Sequence, residues 1–133
     1  MTETEARQFL TKYLKPFGYD VQRNESGAIN EGFPDLTVSK DKKSIDVELK
    51  QGHLTRSGVT VEKWQSRQKG KLVTLSFTRT IRVLVVLPDK SAFMLSAPYV
   101  KFKPSARAVR WITTLDQNCD LVEYLGLVWE DLK

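Results

Sequence analysis

Asp35, Asp46, Glu48 and Lys50 recur at intervals that could bring three carboxylates and one ammonium group together. Two runs with alternating apolar residues flank a Lys-Asp-Lys-Lys segment, a pattern typical of a strand, a tight turn and a second strand. Because side chains alternate faces along a strand, a hairpin here places Asp35, Asp46, Glu48 and Lys50 on one face. Carboxylate oxygens are ligands that Mg²⁺ prefers, and a nearby ammonium can stabilise an attacking hydroxide or a charged phosphate. The pattern therefore favours a metal-assisted hydrolytic site.

A solvated strand face is the alternative explanation, since antiparallel sheets often expose one polar face. Two details favour the site. Pro34 fixes the backbone immediately before Asp35, which suits a side chain that must be aimed. Glu48 and Lys50 lie next to Asp46 rather than scattered along the chain. The site interpretation requires the carboxylates of Asp35 and Glu48 to converge.

The same residues resemble a nuclease signature. Gly32-Phe-Pro-Asp35 followed by Glu48-Leu-Lys50 is similar to the Pro-Asp…(Asp/Glu)-x-Lys motif of the restriction-endonuclease-like nucleases. Within that superfamily the sequence looks most like the VRR-Nuc domains of phage and repair nucleases, because Arg23-Asn24-Glu-Ser-Gly27 resembles their Arg-Asn-x-x-Gly stretch. The resemblance covers the first half of the chain and fades after about Gln68.

The resemblance implies a metal centre. Asp35 and Glu48, joined by the backbone carbonyl of Leu49, would ligate Mg²⁺ or Mn²⁺, and Lys50 would orient the attacking water or stabilise the developing charge. Asp46 would be an extra ligand or a surface neighbour.

Nucleases of this superfamily also bring a glutamate of the first helix to the metal. Glu5 is the first candidate for that role and Glu3 the second. A capping box between Thr2 and Glu5 is the alternative role for Glu5.

A second helix is predicted from Thr60 to Leu72, with Thr60 as its cap. Its inward stripe would carry Gln65 and Gln68, and VRR-Nuc-like domains have a glutamine on the helix after Glu-x-Lys. These two glutamines are therefore candidate site residues, with a partly exposed helix edge as the alternative. The polar segment from Gln51 to Thr60 is expected to form a loop over the site.

Basic residues cluster after the acidic motif. The net charge of the 133-residue chain is +5, and a phosphodiester polymer binds mainly through its phosphates. We predict DNA contacts from four residues: Arg56 in the loop and Lys63, Arg67 and Lys71 in a stripe along the second helix. The alternative for that stripe is an ordinary solvated face.

The remaining sequence limits the class of protein. We find no apolar run long enough to span a bilayer and no signal segment, so no membrane partner is expected. A lone Cys119 cannot form an internal disulfide, which fits a cytoplasmic protein, in a phage host if the protein is viral. Many basic domains bind no nucleic acid, so the net charge alone does not identify a nucleic-acid-binding protein.

The predicted elements form one domain over residues 1–133. They are a helix from Thr2 to Phe17, a short strand, the hairpin, the second helix, a buried strand from Thr80 to Leu87 with a partner strand after it, and a late strand. A closing helix is expected from Asp116 to Leu125, ended by Gly126. The fold class is α/β, a central mixed β-sheet flanked by helices as in restriction-endonuclease-like proteins.

These inferences predict a metal-dependent endodeoxyribonuclease that acts on branched DNA such as four-way junctions. The resemblance implies a phage-type protein that works as a homodimer, and no small-molecule cofactor is expected. The main alternative is a protein that keeps the nuclease fold and binds DNA or a partner without cutting, for example a phage inhibitor of a host enzyme. Nothing in the sequence excludes a ribonuclease.

Overall fold

The computed structural model describes residues 1–24, 34–55, 58–62, 65–96, 112–116 and 119–132. Its helices are α1 (Glu3–Leu14), α2 (Ser66–Leu75) and α3 (Leu121–Glu130), and a short 3₁₀ turn spans Lys15–Phe17. The strands in chain order are β1 (Asp20–Arg23), β2 (Leu36–Lys40), β3 (Lys43–Thr55), β4 (Gly58–Val61), β5 (Ile81–Val86), β6 (Ser91–Ser96) and β7 (Ile112–Thr114).

The strands form one mixed sheet in the order β1-β2-β3-β5-β6-β7, and β4 pairs with the far end of β3. Only β3 and β5 pair in parallel within the described sheet, with Glu48 opposite Val83. A parallel pair needs a crossover connection, which the segment carrying α2 supplies. The predicted fold class, a mixed sheet flanked by helices, is confirmed.

The two faces of the sheet carry separate cores. On one face, Val38, Val47 and Leu84 pack with Leu10 of α1 and Leu125 of α3. The other face has a smaller core. It contains Leu72 of α2, Ile81, Val83, Val85, Leu87, Phe93 and Leu95. Because β3 alternates, its charged residues share this second face.

The first helix begins as its sequence predicts. The hydroxyl of Thr2 accepts a hydrogen bond from the Glu5 backbone N–H at 3.1 Å, which caps the exposed amides of the first turn. Ala6, Leu10 and Leu14 form the buried stripe. Gly18 ends the element with φ at 87°, a left-handed conformation that glycine adopts without strain.

The predicted second helix is wrong at its start. Thr60 lies in β4, and α2 begins only at Ser66. The expected loop after Lys50 is wrong for the same reason, because β3 continues to Thr55 and pairs with β4. The β-branched alternation of Gly-Val-Thr-Val favours a strand, and it outweighs the capping signal of Thr60.

The predicted closing helix is also shifted. α3 starts five residues later than Asp116 and runs through Gly126. Trp129, near its end, is buried, and its indole N–H donates to the carbonyl of Lys40 at 3.2 Å. The ring of Trp129 also meets that of Tyr19 edge-on. Apolar packing of Leu121, Leu125 and Trp129 therefore sets the helix position rather than the glycine.

No helix in the described part of the chain is long and apolar enough to cross a membrane. The predicted loops at 24–32 and 97–108 lie almost wholly outside the described residues.

Candidate active site

A row of charged side chains is buried on the second face of the sheet. Asp46, Glu48 and Lys50 expose only 5%, 3% and 7% of their surface. Charged groups are seldom buried to this degree unless they are paired or bind a ligand. A solvated strand face, the alternative considered for this pattern, is therefore wrong.

Asp35 and Glu48 converge although thirteen positions separate them in the chain. The pairing of β2 with β3 sets Leu36 opposite Val47, which brings Asp35 beside the Glu48 segment. The backbone N–H of Leu49 donates to Oδ2 of Asp35 at 2.9 Å. The side chain of Glu48 also forms a hydrogen bond with that of Asp35. The two carboxyl groups thus meet at the same point.

Burial raises the pKa of Glu48 to about 9, with the hydrogen bond to Asp35 and the Asp35 charge as the next causes. The ammonium of Lys50 acts in the opposite direction and the carboxylate of Glu3 adds to the increase. At neutral pH and without a cation, Glu48 is therefore protonated and donates to Asp35. Its Oε2 atom is buried without a hydrogen-bond partner among the described residues.

This donor set fits a hard divalent cation. Glu48, with a raised pKa and an unpartnered buried oxygen, lies against the Asp35 carboxyl group, and a cation can replace its proton there. Mg²⁺ commonly takes one or two carboxylates and keeps several waters. Within the described ranges no group of three or more His, Cys, Asp or Glu side chains is placed to hold a metal.

The structure separates the two glutamates of the first turn. Glu5 is exposed, whereas Glu3 is half-buried and close enough to influence Glu48. Glu3 lies three residues before Ala6 and seven before Leu10, on the buried stripe of α1. That helical phase is the sequence signal that singles out Glu3 over Glu5.

Asp46 belongs to a separate hydrogen-bond network. Its Oδ1 atom accepts from the Thr37 hydroxyl at 2.7 Å, and its Oδ2 atom accepts from Arg79 Nη1 at 3.1 Å. The Asp46 side chain is 7% exposed and that of Arg79 is 47% exposed. Both carboxylate oxygens are therefore used within the protein, which favours a structural role over metal binding.

Asn24 connects this network to Asp35. Its side-chain amide donates to the carbonyl of Pro34 at 2.9 Å and to the Thr37 hydroxyl at 3.0 Å. Its backbone N–H donates to the carbonyl of Asp35 at 2.8 Å. Asn24 thus holds the backbone on both sides of the Pro34–Asp35 peptide bond. Sequence reasoning gave it no role, although it lies in the Arg-Asn-x-x-Gly stretch.

The remaining predicted site residues differ in exposure, and two of them fall outside the described ranges. Gln65 is exposed at the residue before α2, so its predicted inward position is wrong. Gln68 is half-buried in the first turn. Arg67 and Lys71 are exposed one turn apart on α2, while Arg56 and Lys63 fall outside the described residues.

A comparison with solved structures agrees with the sheet topology described above. No family model matches the chain, and no curated protein matches it either. Among solved structures, a Holliday junction resolvase, Hjc, from the archaeal hyperthermophile Archaeoglobus fulgidus is similar with a TM-score of 0.53 and 13% sequence identity. The match covers 84% of this chain and 87% of that one.

The chain therefore shares the overall fold of that protein, a mixed sheet flanked by helices. The similarity extends over most of both chains and is not confined to the motif-bearing hairpin. At 13% identity it establishes the architecture, and the function has to be argued from the site.

Proposed function

We propose that this protein is a divalent-metal-dependent endodeoxyribonuclease that cuts branched DNA. The observation that carries the proposal is the convergence of Asp35 and Glu48, with buried Lys50 on the same strand face as Glu48. Such an arrangement suits phosphodiester hydrolysis, which needs a cation, an oriented water and a positive group near the phosphate.

Each residue has a defined part in this proposal. Asp35 and Glu48, with the Leu49 carbonyl, would hold Mg²⁺ or Mn²⁺. When bound, the cation supplies a water of lowered pKa and neutralises phosphate charge. Lys50 orients the attacking water or stabilises the charge that builds on the phosphate. Leu49 positions Asp35 through its backbone N–H.

The preference for branched DNA rests on the structural comparison, the motif resemblance and the exposed cations of α2. The neighbour of known structure is described as a Holliday junction resolvase, and the motif resembles VRR-Nuc domains, a group that includes structure-specific endonucleases. The exposed cations Arg67 and Lys71 on α2 suit contacts to phosphates, which fix position without reading sequence. A homodimer fits such a substrate, since a four-way junction offers two strands to cut.

A cleavage assay tests the proposal. Four-way junction, flap and linear duplex DNA are incubated with the protein and Mg²⁺, Mn²⁺ or Ca²⁺. We expect cleavage with Mg²⁺ or Mn²⁺ and a preference for the junction. Lys50→Met keeps the apolar stem but removes the charge, so it should abolish cleavage while DNA binding persists. Lys12→Met, an exposed change on α1, is the matched control and should cut normally.

Three results would contradict the proposal at different levels. Equal cleavage of all three substrates would remove the branch preference but keep the nuclease. Binding of DNA by the wild-type protein without cleavage by any divalent ion would favour the alternative, a protein that keeps the fold for binding alone. Cleavage of RNA in place of DNA would reassign the substrate.

A further inference from the structure

A basic cavity of about 340 Å³ lies where β3 and β5 begin. Two turns border it: the one between β2 and β3, and the one between α2 and β5. Its lining includes three cationic side chains and three hydroxyl groups. These are Lys42, Lys43 and Arg79, and Ser44, Thr78 and Thr80.

The one carboxylate in the lining does not make the cavity acidic. Asp46 accepts hydrogen bonds from Thr37 and Arg79, and the guanidinium of Arg79 offsets its charge. Lys42 and Lys43 then leave the cavity with a net positive charge. Lys42 is exposed, and the ammonium of Lys43 lies 3.4 Å from the carbonyl of Trp129.

We propose that this cavity binds a phosphate group of the DNA strand that the candidate active site cuts. The choice of DNA as the source of the phosphate rests on the proposed function. Lysine ammoniums, a guanidinium and hydroxyls are the groups that proteins use to hold phosphate oxygens. A small cavity lined by all three kinds of group suits a tetrahedral anion.

The position of the cavity fits a contact outside the scissile phosphate. Ser44 and Asp46 share a face of β3 with Glu48 and Lys50, since residues two apart point the same way. At a rise of about 3.3 Å per residue, Asp46 lies roughly 7 Å from Glu48 along the strand. Successive phosphates of one DNA strand advance by about 3.4 Å along the helix axis, so the two sites lie within a few nucleotides.

An exposed aromatic ring favours a nucleic acid over free phosphate. Phe77 directly precedes the cavity residue Thr78 and is 82% exposed, although phenylalanine is normally buried. Aromatic rings next to cationic groups stack on nucleobases in proteins that bind single strands. A strand whose phosphate lies in the cavity therefore has a surface beside it for an unpaired base.

Two matched lysines provide the test. Lys42 and Lys90 both lie in strand-connecting turns, both are exposed, and both have a left-handed backbone, with φ of 65° and 70°. Lys42→Gln and Lys90→Gln each remove one charge and keep the stem. Binding of a labelled four-way junction is measured by fluorescence anisotropy over a range of salt concentrations in Ca²⁺, so that no cleavage is needed.

We expect Lys42→Gln to weaken junction binding about fivefold and to reduce the slope of log K against log salt by about 1. Lys90→Gln should leave both quantities unchanged. Phe77→Ala should weaken binding of single-stranded DNA more than that of linear duplex. Equal effects of the two lysine variants, or no effect of either, would overturn the proposal.

A second arm uses inorganic phosphate and amide NMR spectra of the wild-type protein. Shifts confined to Lys42–Ser44 and Thr78–Thr80 support phosphate binding in the cavity. If those shifts occur but Lys42→Gln binds the junction normally, the site takes free phosphate and the proposed DNA contact is wrong. If the proposed nuclease function is wrong, the wild-type protein will bind the junction without cutting it in Mg²⁺, and this result is distinct from those above.

Discussion

Asn24 fixes the position of Asp35 through the backbone. The N–H of Asn24 donates to the Asp35 carbonyl at 2.8 Å, and its side-chain amide donates to the carbonyl of Pro34, one residue earlier. The Asp35 carboxylate is held from the opposite side by the backbone N–H of Leu49. The candidate metal ligand is therefore anchored at once by the residue that follows β1 and by β3.

We predict that Asn24→Ala lowers cleavage by about 10- to 100-fold, the usual effect of removing a group that orients a metal ligand. It removes two side-chain hydrogen bonds, worth about 0.5–1.5 kcal/mol each. Gln22→Ala, an exposed change on the preceding strand β1, is the control. Cleavage rates and thermal denaturation of both variants check this, and similar activity in both would show that Asn24 does not position Asp35.

The two buried acids of β3 should respond differently to loss of charge. Glu48→Gln should abolish cleavage but make the metal-free protein more stable than the wild type at pH 7, because the variant no longer has to keep a proton that the unfolded chain has lost. Asp46→Asn should destabilise the fold by about 1–2 kcal/mol, since it weakens the bonds from Arg79 and Thr37, while cleavage persists. Chemical denaturation and cleavage rates measure both effects. The reverse result would make Asp46 the ligand.

The raised pKa of Glu48 predicts a pH dependence of the metal-free protein. Between pH 4.5, the ordinary value, and about 9, the folded state keeps a proton that the unfolded state has lost. The free energy of unfolding should therefore decrease as the pH rises through this range. Glu48→Gln should lack this contribution, so the difference between the two denaturation curves isolates it. A difference that grows in favour of the wild type with rising pH would contradict the assignment.

Cation binding should reverse that trend. Because the cation replaces the proton on Glu48, its affinity should increase with pH up to about 9, and binding should release a proton. Isothermal titration with Mn²⁺ in buffers of different ionisation enthalpy measures the release. Proton uptake, or affinity independent of pH, would exclude Glu48 as a ligand.

Gly126 offers a prediction about stability alone. It lies inside α3, and no described atom is within 4 Å of a Cβ built at this position. Gly126→Ala should stabilise the protein by about 0.5–1 kcal/mol, because glycine loses more backbone entropy in a helix. Thermal denaturation measures the gain, and cleavage should be unchanged. A lower melting temperature would mean that the helix is not formed here in solution.

The acidic face could be predicted because it depends on a local rule. Alternation along β3 places Asp46, Glu48 and Lys50 together without knowledge of any other element, and the Pro-Asp motif supplies Asp35. The functions of the two buried acids could not be separated in this way. Asp46 differs from Glu48 only through its partners Thr37 and Arg79, and the latter is thirty-three residues away.

The errors have physical causes too. Thr60 is both a good helix cap and a good strand residue, and pairing with the extended β3 decided between them. Gln65 was placed inward because the predicted helix began at Thr60 and included it, whereas α2 begins at Ser66 and Gln65 is the extended residue before it. Glu5 was preferred because it lies one turn before Phe9, whereas the helical phase that buries Ala6 and Leu10 favours Glu3.

The length of β3 has a consequence for how activity is lost. The strand carries Glu48 and Lys50 near its middle, and β2, β5 and β4 pair with it along its whole length from Lys43 to Thr55. Fraying at a sheet edge leaves these residues in place. Inactivation by heat or denaturant should therefore coincide with cooperative melting of the domain, so residual enzymatic turnover would report the surviving native population.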